Sequence, residues 1–148
     1  MDINEVVATL SRLLDSLYDS RDCLNEALRQ LVDLQLKNML TSLIFQRSLM
    51  IEVLSREVRK LSSEQALDYC VLRETAPLTY LDLNTLFNAA NFSIMIAEIK
   101  RGEQGILSKY QAALNNDLPN DIKSLLRQHL SELKENFEKL DTVMILNV

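Results

Sequence analysis

Apolar side chains recur every three, four or seven positions through most of this chain, which is the pattern of an amphipathic helix. Four stretches carry the pattern, and the helices that they predict cover about residues 3–31, 35–62, 91–115 and 119–145. Asn91 suits the N-cap of the third helix, and Pro119 suits the first turn of the fourth. The 148 residues include only two glycines and two prolines, too few turn-forming residues for many short strands. The predicted class is all-α.

The connections between the predicted helices are short, long and short. Each short connection predicts an antiparallel helical hairpin. Residues 63–90 contain Pro77 and break the periodicity, which predicts a crossover containing one short helix. Two hairpins joined by one long crossover are typical of ferritin-like four-helix bundles, and we expect residues 1–148 to form one such domain. The apolar heptads are also compatible with a coiled-coil dimer, but their interruptions and the count of four helices favour a bundle within one chain.

Three of the apolar stripes are each interrupted by one polar residue, namely Ser20, Arg47 and Glu103. A turn near residue 33 would place Ser20 and Arg47 at the same height, and Glu103 lies midway along its own helix. Because a buried guanidinium and a buried carboxylate are each costly alone, we predict a buried polar layer in which Arg47 meets Glu103. Tyr110 would add a hydroxyl group to this layer. The alternative is that Arg47 and Glu103 extend outward at the edges of their stripes.

The charge pattern excludes several classes of partner. The net charge is −5, with both signs interspersed, which argues against binding to nucleic acid or to an anionic membrane. No stretch reaches the roughly 18 consecutive apolar residues of a membrane span.

The first residues lack the pattern of a secretion signal, and Cys23 and Cys70 form no C-x-x-C motif. We therefore expect a cytoplasmic protein with two reduced thiols.

Candidate chemistry is sparse. His129 is the only histidine, has no nucleophile partner in sequence, and is predicted to lie at the surface or rim of its helix. Gly102 and Gly105 are too few and too helical for a phosphate-binding loop, and they indicate close helix packing or a local kink.

The final segment, VMILNV, is apolar and should dock on its own bundle or on a partner. A homodimer or another protein partner is therefore expected.

Several segments are similar to one group of ferritin-like bacterial proteins of unknown function. These segments are DSRDCLNEAL at 19–28, DLQLKNML at 33–40, QRSLMIEVLSREVRKL at 46–61 and RGEQGILSKYQAAL at 101–114. Members of the group look like four-helix bundles with D-S-x-E-x-Y-x-x-A-A in helix one, Q-R in helix two and R-G-E-x-x-x-x-x-Y in helix three. The similarity covers most of the chain outside residues 64–90.

The resemblance implies a degenerate metal site. Ferritin-like metalloproteins hold iron with a carboxylate from each of two helices and a Glu-x-x-His pair from each of the other two. By the resemblance, Asp22 and Glu103 occupy the two carboxylate positions. Leu126 stands three residues before His129, so the chain has no Glu-x-x-His. Arg47 would also place a fixed positive charge where metal cations should bind.

Helix four departs from the group as well. The relatives carry a histidine near residues 134–138, and the candidates for that position in this chain are Asn136 and Phe137, neither of which replaces an imidazole. The leading hypothesis is thus a ferritin-like bundle with no cofactor, no catalytic residue, and a structural or protein-interaction role. The rival hypothesis is a bundle that binds iron or manganese through Asp22, Glu26 and Glu103. A third is a small apolar ligand held near residues 64–90.

Overall fold

The computed structural model describes residues 1–62 and 78–146 of the chain. This part contains five α-helices and no strand, so the predicted all-α class is confirmed. The helices are α1 (Ile3–Gln30), α2 (Leu34–Leu61), α3 (Leu83–Phe87), α4 (Phe92–Leu114) and α5 (Asn120–Leu146). The four long helices begin and end within one residue of the predicted positions. The chain divides into two compact units, Met1–Thr79 and Tyr80–Val148.

The first unit is built on the hairpin of α1 and α2. Asp2 starts α1 with a capping box, in which its carboxylate accepts from the Glu5 N–H (2.8 Å) and its own N–H donates to the Glu5 carboxylate (3.0 Å). Asp33 caps α2 by accepting from the Leu36 N–H at 2.8 Å. Such caps satisfy N–H groups that have no partner within the helix. Only residues 31–33 separate the end of α1 from the start of α2, so the connection is tight, as predicted from the sequence.

The core of this unit consists of the leucines of the two apolar stripes. Its fully buried members include Leu10, Leu17, Leu24, Leu36, Leu40 and Leu54. Burial of each such side chain contributes about 1.5–3 kcal/mol. The stripe therefore supplies most of the driving force that holds α1 against α2.

The second unit is built on the hairpin of α4 and α5, against which the short α3 packs through α4. Asn91 caps α4 by accepting from the Ile94 N–H at 3.0 Å, as predicted. Asp82 caps α3 in the same way through the Thr85 N–H at 3.2 Å. The core includes Ile99, Ile106, Leu126, Leu133 and Leu140, all buried.

Two sequence predictions fall partly outside the described residues. In the described part of the predicted crossover, residues 78–90, the structure contains the short helix α3, whereas residues 63–77, with Cys70 and Pro77, lie outside the described residues. The apolar end of the chain continues α5 as far as Leu146, while Asn147 and Val148 lie outside. Within the described ranges, none of the helices combines the length and hydropathy that crossing a bilayer demands.

Candidate functional site

Arg47 lies in the interior of the first unit and meets Ser20 across the α1–α2 hairpin. Both side chains are 0% exposed, and Arg47 Nε donates to Ser20 Oγ at 3.1 Å. Arg47 Nη1 also donates to the side chain of the preceding residue, Gln46. Ser20 Oγ donates to the Leu17 carbonyl at 2.8 Å. The predicted match in height between Ser20 and Arg47 is thus realised as a hydrogen bond.

Asp19, which the sequence analysis did not single out, fastens a distant segment to α1. Its side chain is 7% exposed and accepts from the Thr79 N–H at 2.7 Å and from the Thr79 hydroxyl. The buried Cys23 Sγ donates to the same carboxylate at 3.4 Å. A carboxylate with this many donors is held as an acceptor, and it links residues 60 positions apart. Its role is to anchor the backbone.

Glu103 is 1% exposed and accepts from the Tyr80 hydroxyl at 2.7 Å, within the second unit. Tyr80 lies against Gly102, the neighbour of Glu103 on α4. A Cβ at position 102 would lie 2.7 Å from the Tyr80 carbonyl oxygen and 2.8 Å from ring atom Cε2. The glycine therefore permits the close approach that delivers the tyrosine hydroxyl, which fits the predicted packing role of Gly102.

Glu98, five residues before Glu103 on α4, positions the segment that contains Tyr80. It accepts from the Asp82 N–H at 2.9 Å and from Arg101 Nε at 3.0 Å, and Arg101 also donates to the Tyr80 carbonyl at 3.3 Å. Burial alone would raise the pKa of Glu98, but the hydrogen bonds from Arg101 and Asp82 outweigh it and the pKa is lowered. Glu98 is thus a carboxylate that stays ionised and positions residues 80–82.

The prediction that His129 lies at the surface or rim is wrong, because the side chain is only 6% exposed. Its position, three residues after Leu126 and four before Leu133, places it on the buried face of α5. The Tyr110 hydroxyl lies 2.9 Å from His129 Nδ1, and the two rings are 5.7 Å apart. Burial lowers the pKa of His129 to about 4. A neutral imidazole with this pKa is a weak base at neutral pH.

His129 gives the protein a predicted dependence of stability on pH. Between pH 6.5 and about 4 the unfolded chain binds a proton at His129 that the folded chain does not bind. The free energy of unfolding therefore falls as the pH falls through this window, by about 3 kcal/mol from this residue. Chemical denaturation at pH 7 and pH 4.5 measures the change.

The matched variant is His129→Gln, which cannot titrate. Subtracting its pH dependence from that of the wild type removes the contribution of the carboxylates. The account would be contradicted by wild type and variant losing equal stability over this window.

The weak metal-ligand candidates are engaged by other side chains. Asp22 is half-buried and pairs with Arg21 at 3.0 Å, while Glu103 accepts from Tyr80. Within residues 1–62 and 78–146, no three side chains of His, Cys, Asp or Glu lie close enough together to hold a metal ion. The donor set in this part of the chain does not fit a di-iron centre. The expectation of no cofactor stays a prediction.

A second kind of candidate lies on the surface, along α2. We call the set of exposed residues from Asn38 to Leu49 the outer face of α2. Its members are Asn38, Thr41, Ser42, Phe45, Ser48 and Leu49. None is charged, and Phe45 is 66% and Leu49 49% exposed. Depletion of charge around exposed aromatic and aliphatic side chains is typical of the central part of a protein–protein interface.

This composition differs from that of the α5 surface. On α5, the exposed positions include Asp121, Arg127, Lys134 and Glu135. The sequence carried a signal for the outer face of α2, since Phe45 and Leu49 lie four residues apart and off the main apolar stripe. Helical periodicity identifies buried positions, so it does not by itself reveal this exposed face.

A family model matches residues 5–116, which cover α1 from Glu5 onward and all of α2, α3 and α4. The family is described as a domain of unknown function, DUF2383. The chain belongs to this family. A comparison with curated proteins gives no match. The DUF2383 assignment agrees with the resemblance to a family of unknown function and leaves the role of the chain to be argued from its own residues.

Proposed function

We propose that this DUF2383 chain is a non-catalytic protein-interaction module, built as a ferritin-like four-helix bundle with a degenerate metal site. The carrying observation is the outer face of α2, a charge-free surface on which Phe45 and Leu49 are exposed. Exposed apolar side chains that cluster on one face mark interaction sites in soluble proteins. The proposal includes a bacterial cytoplasmic location.

The topology part of the proposal is supported by the two hairpins and the single long connection between α2 and α4. Up-down-up-down bundles have three short connections, whereas ferritin-like bundles have one long crossover. The resemblance of the α4 segment R-G-E-x-x-x-x-x-Y to ferritin-like proteins points the same way.

The non-catalytic part of the proposal is supported by what the buried polar groups contact. Asp19 and Glu98 hold backbone N–H groups, and Arg47 and Glu103 hold hydroxyl groups. Each of these bonds fixes a segment of the chain in place. A general base needs a pKa near the working pH and access to substrate, whereas His129 is buried with a pKa of about 4.

Photo-cross-linking in living cells tests the interaction role. A photoreactive phenylalanine analogue is placed at Phe45, and in a matched control at Lys109, which is exposed on α4. We expect cross-linked protein adducts from position 45 and none from position 109, because only position 45 lies on the outer face of α2. A lack of adducts from position 45 would contradict the proposed function.

A further inference from the structure

We infer that the outer face of α2 binds a second copy of this chain, with the two α2 helices antiparallel and Phe45 at the twofold axis. The inference rests on the proposed function and names the partner of the same surface. A twofold contact requires a patch that is complementary to itself. The uncharged outer face of α2 meets that requirement at its centre, and the charges at its two ends decide the orientation.

The charges at the two ends of the outer face are opposite in sign. Lys37 lies eight residues before Phe45, and Glu52 lies seven residues after it. At 1.5 Å per residue these are offsets of about 12 Å and about 10.5 Å along the axis. An antiparallel pairing centred on Phe45 therefore brings Lys37 of one copy level with Glu52 of the other, twice by symmetry.

The angular positions of the two side chains agree with this pairing. At 100° of rotation per residue about the α2 axis, Glu52 lies about 20° from Phe45 and Lys37 about 80° from it, both in the same direction. A twofold axis perpendicular to both helices places this side of each helix on the same side of the dimer. The Lys37 ammonium of one copy therefore faces the Glu52 carboxylate of the other. Glu52 is exposed and already pairs with Arg56 at 2.9 Å, which leaves its second oxygen able to accept from the partner copy.

A parallel arrangement is disfavoured by the same residues. It would place Glu52 beside Glu52 and Lys37 beside Lys37 across the axis, and juxtaposed like charges suppress association. In the antiparallel register Leu49 meets Thr41, whose methyl group is apolar, and Leu34 meets the aliphatic stem of Arg56. Leu34 is 72% exposed in the single chain, so this register also covers an otherwise solvated leucine.

Charge reversal tests the pairing in sedimentation equilibrium of the full chain. We expect the wild type to dimerise, Lys37→Glu and Glu52→Lys each to raise the dimer Kd roughly tenfold, and the double variant to return to within about threefold of wild type. Lys109→Glu, on α4, is the matched control and should leave the Kd unchanged. Circular dichroism checks that each variant is folded.

Disulfide trapping tests the register independently. In a Cys70→Ser background, with Cys23 buried, the antiparallel pairing predicts that Phe45→Cys forms a disulfide-linked dimer and that Glu52→Cys does not. The two copies of position 52 would lie about 21 Å apart, whereas a disulfide needs Cα atoms within about 7 Å. Cross-linking at 52, or failure at 45, overturns the antiparallel register.

The failure of this inference is distinguishable from the failure of the proposed function. A wild type that stays monomeric at about 100 μM overturns the inference, as does a charge-reversed double variant that is as weak as the singles. If position 45 still cross-links to a different protein in cells, the interaction role survives with another partner. If position 45 gives no adduct at all, both fail.

Discussion

Replacing Gly102 with alanine is expected to lower the free energy of unfolding by about 2 to 3 kcal/mol. The new Cβ would lie 2.7 Å from the backbone carbonyl oxygen of Tyr80, and backbone cannot give way as a flexible side-chain end can. Displacing Tyr80 also lengthens the 2.7 Å hydrogen bond from its hydroxyl to the buried Glu103. Urea denaturation followed by circular dichroism measures the loss.

Gly105→Ala is the matched control, three residues along the same helix. A Cβ there meets nothing within 4 Å. Because glycine in a helix interior is less favourable than alanine, this variant should gain about 0.5–1 kcal/mol. The contact between Gly102 and Tyr80 would be refuted if both alanine variants were equally stabilised.

Arg47→Ala is expected to cost about 3–5 kcal/mol of stability. The side chain is 0% exposed, is among the largest fully buried ones in the described part, and donates to Ser20 and Gln46. Truncation removes buried packing and deprives the buried Ser20 and the half-buried Gln46 of a charged donor, and the loss of packing and the loss of the donor are both large penalties. Thermal and urea denaturation give the free-energy difference.

Arg56→Ala provides the control on the same helix. Arg56 lies on the surface, where its side chain is 58% exposed and pairs with Glu52, so its loss should cost less than about 0.5 kcal/mol. A cost for Arg47→Ala below about 1 kcal/mol would show that the buried arginine contributes little to the fold.

The pairing of Arg47 with Glu103 stays a prediction, and a double-mutant cycle tests it. Arg47→Ala and Glu103→Gln should be coupled by more than about 1 kcal/mol if the two side chains form a buried charge pair. Additive effects would contradict the predicted charge pair. The alternative, that both side chains extend outward, is wrong, because Arg47 is 0% and Glu103 1% exposed.

Much of the fold was predictable because helix periodicity and caps are local properties of the sequence. The Asn91 cap follows from its residue type and position, and the level positions of Ser20 and Arg47 follow from spacing about the turn near residue 33. The burial of His129 was also predictable, since it continues the stripe between Leu126 and Leu133, although an ionisable side chain is usually expected to face water. Burial is compatible with histidine because a neutral imidazole beside a tyrosine hydroxyl carries no charge to desolvate.

The hydrogen bonds that position residues 79–82 were not predictable from the sequence. It depends on Asp19, Glu98 and Tyr80, which meet partners up to 60 positions away in sequence and follow no period. The outer face of α2 was missed for another reason. Exposed apolar residues are common singly, and only the exposure of Phe45 and Leu49 on one uncharged face distinguishes this surface.

The central claim is that the buried polar side chains serve the fold and do not form a metal site. Elemental analysis of full-length protein, purified without chelator from cells supplied with iron and manganese, tests it most directly. The account predicts less than about 0.1 iron or manganese per chain. One or two metal ions per chain in the wild type, lost in Glu103→Gln, would contradict it.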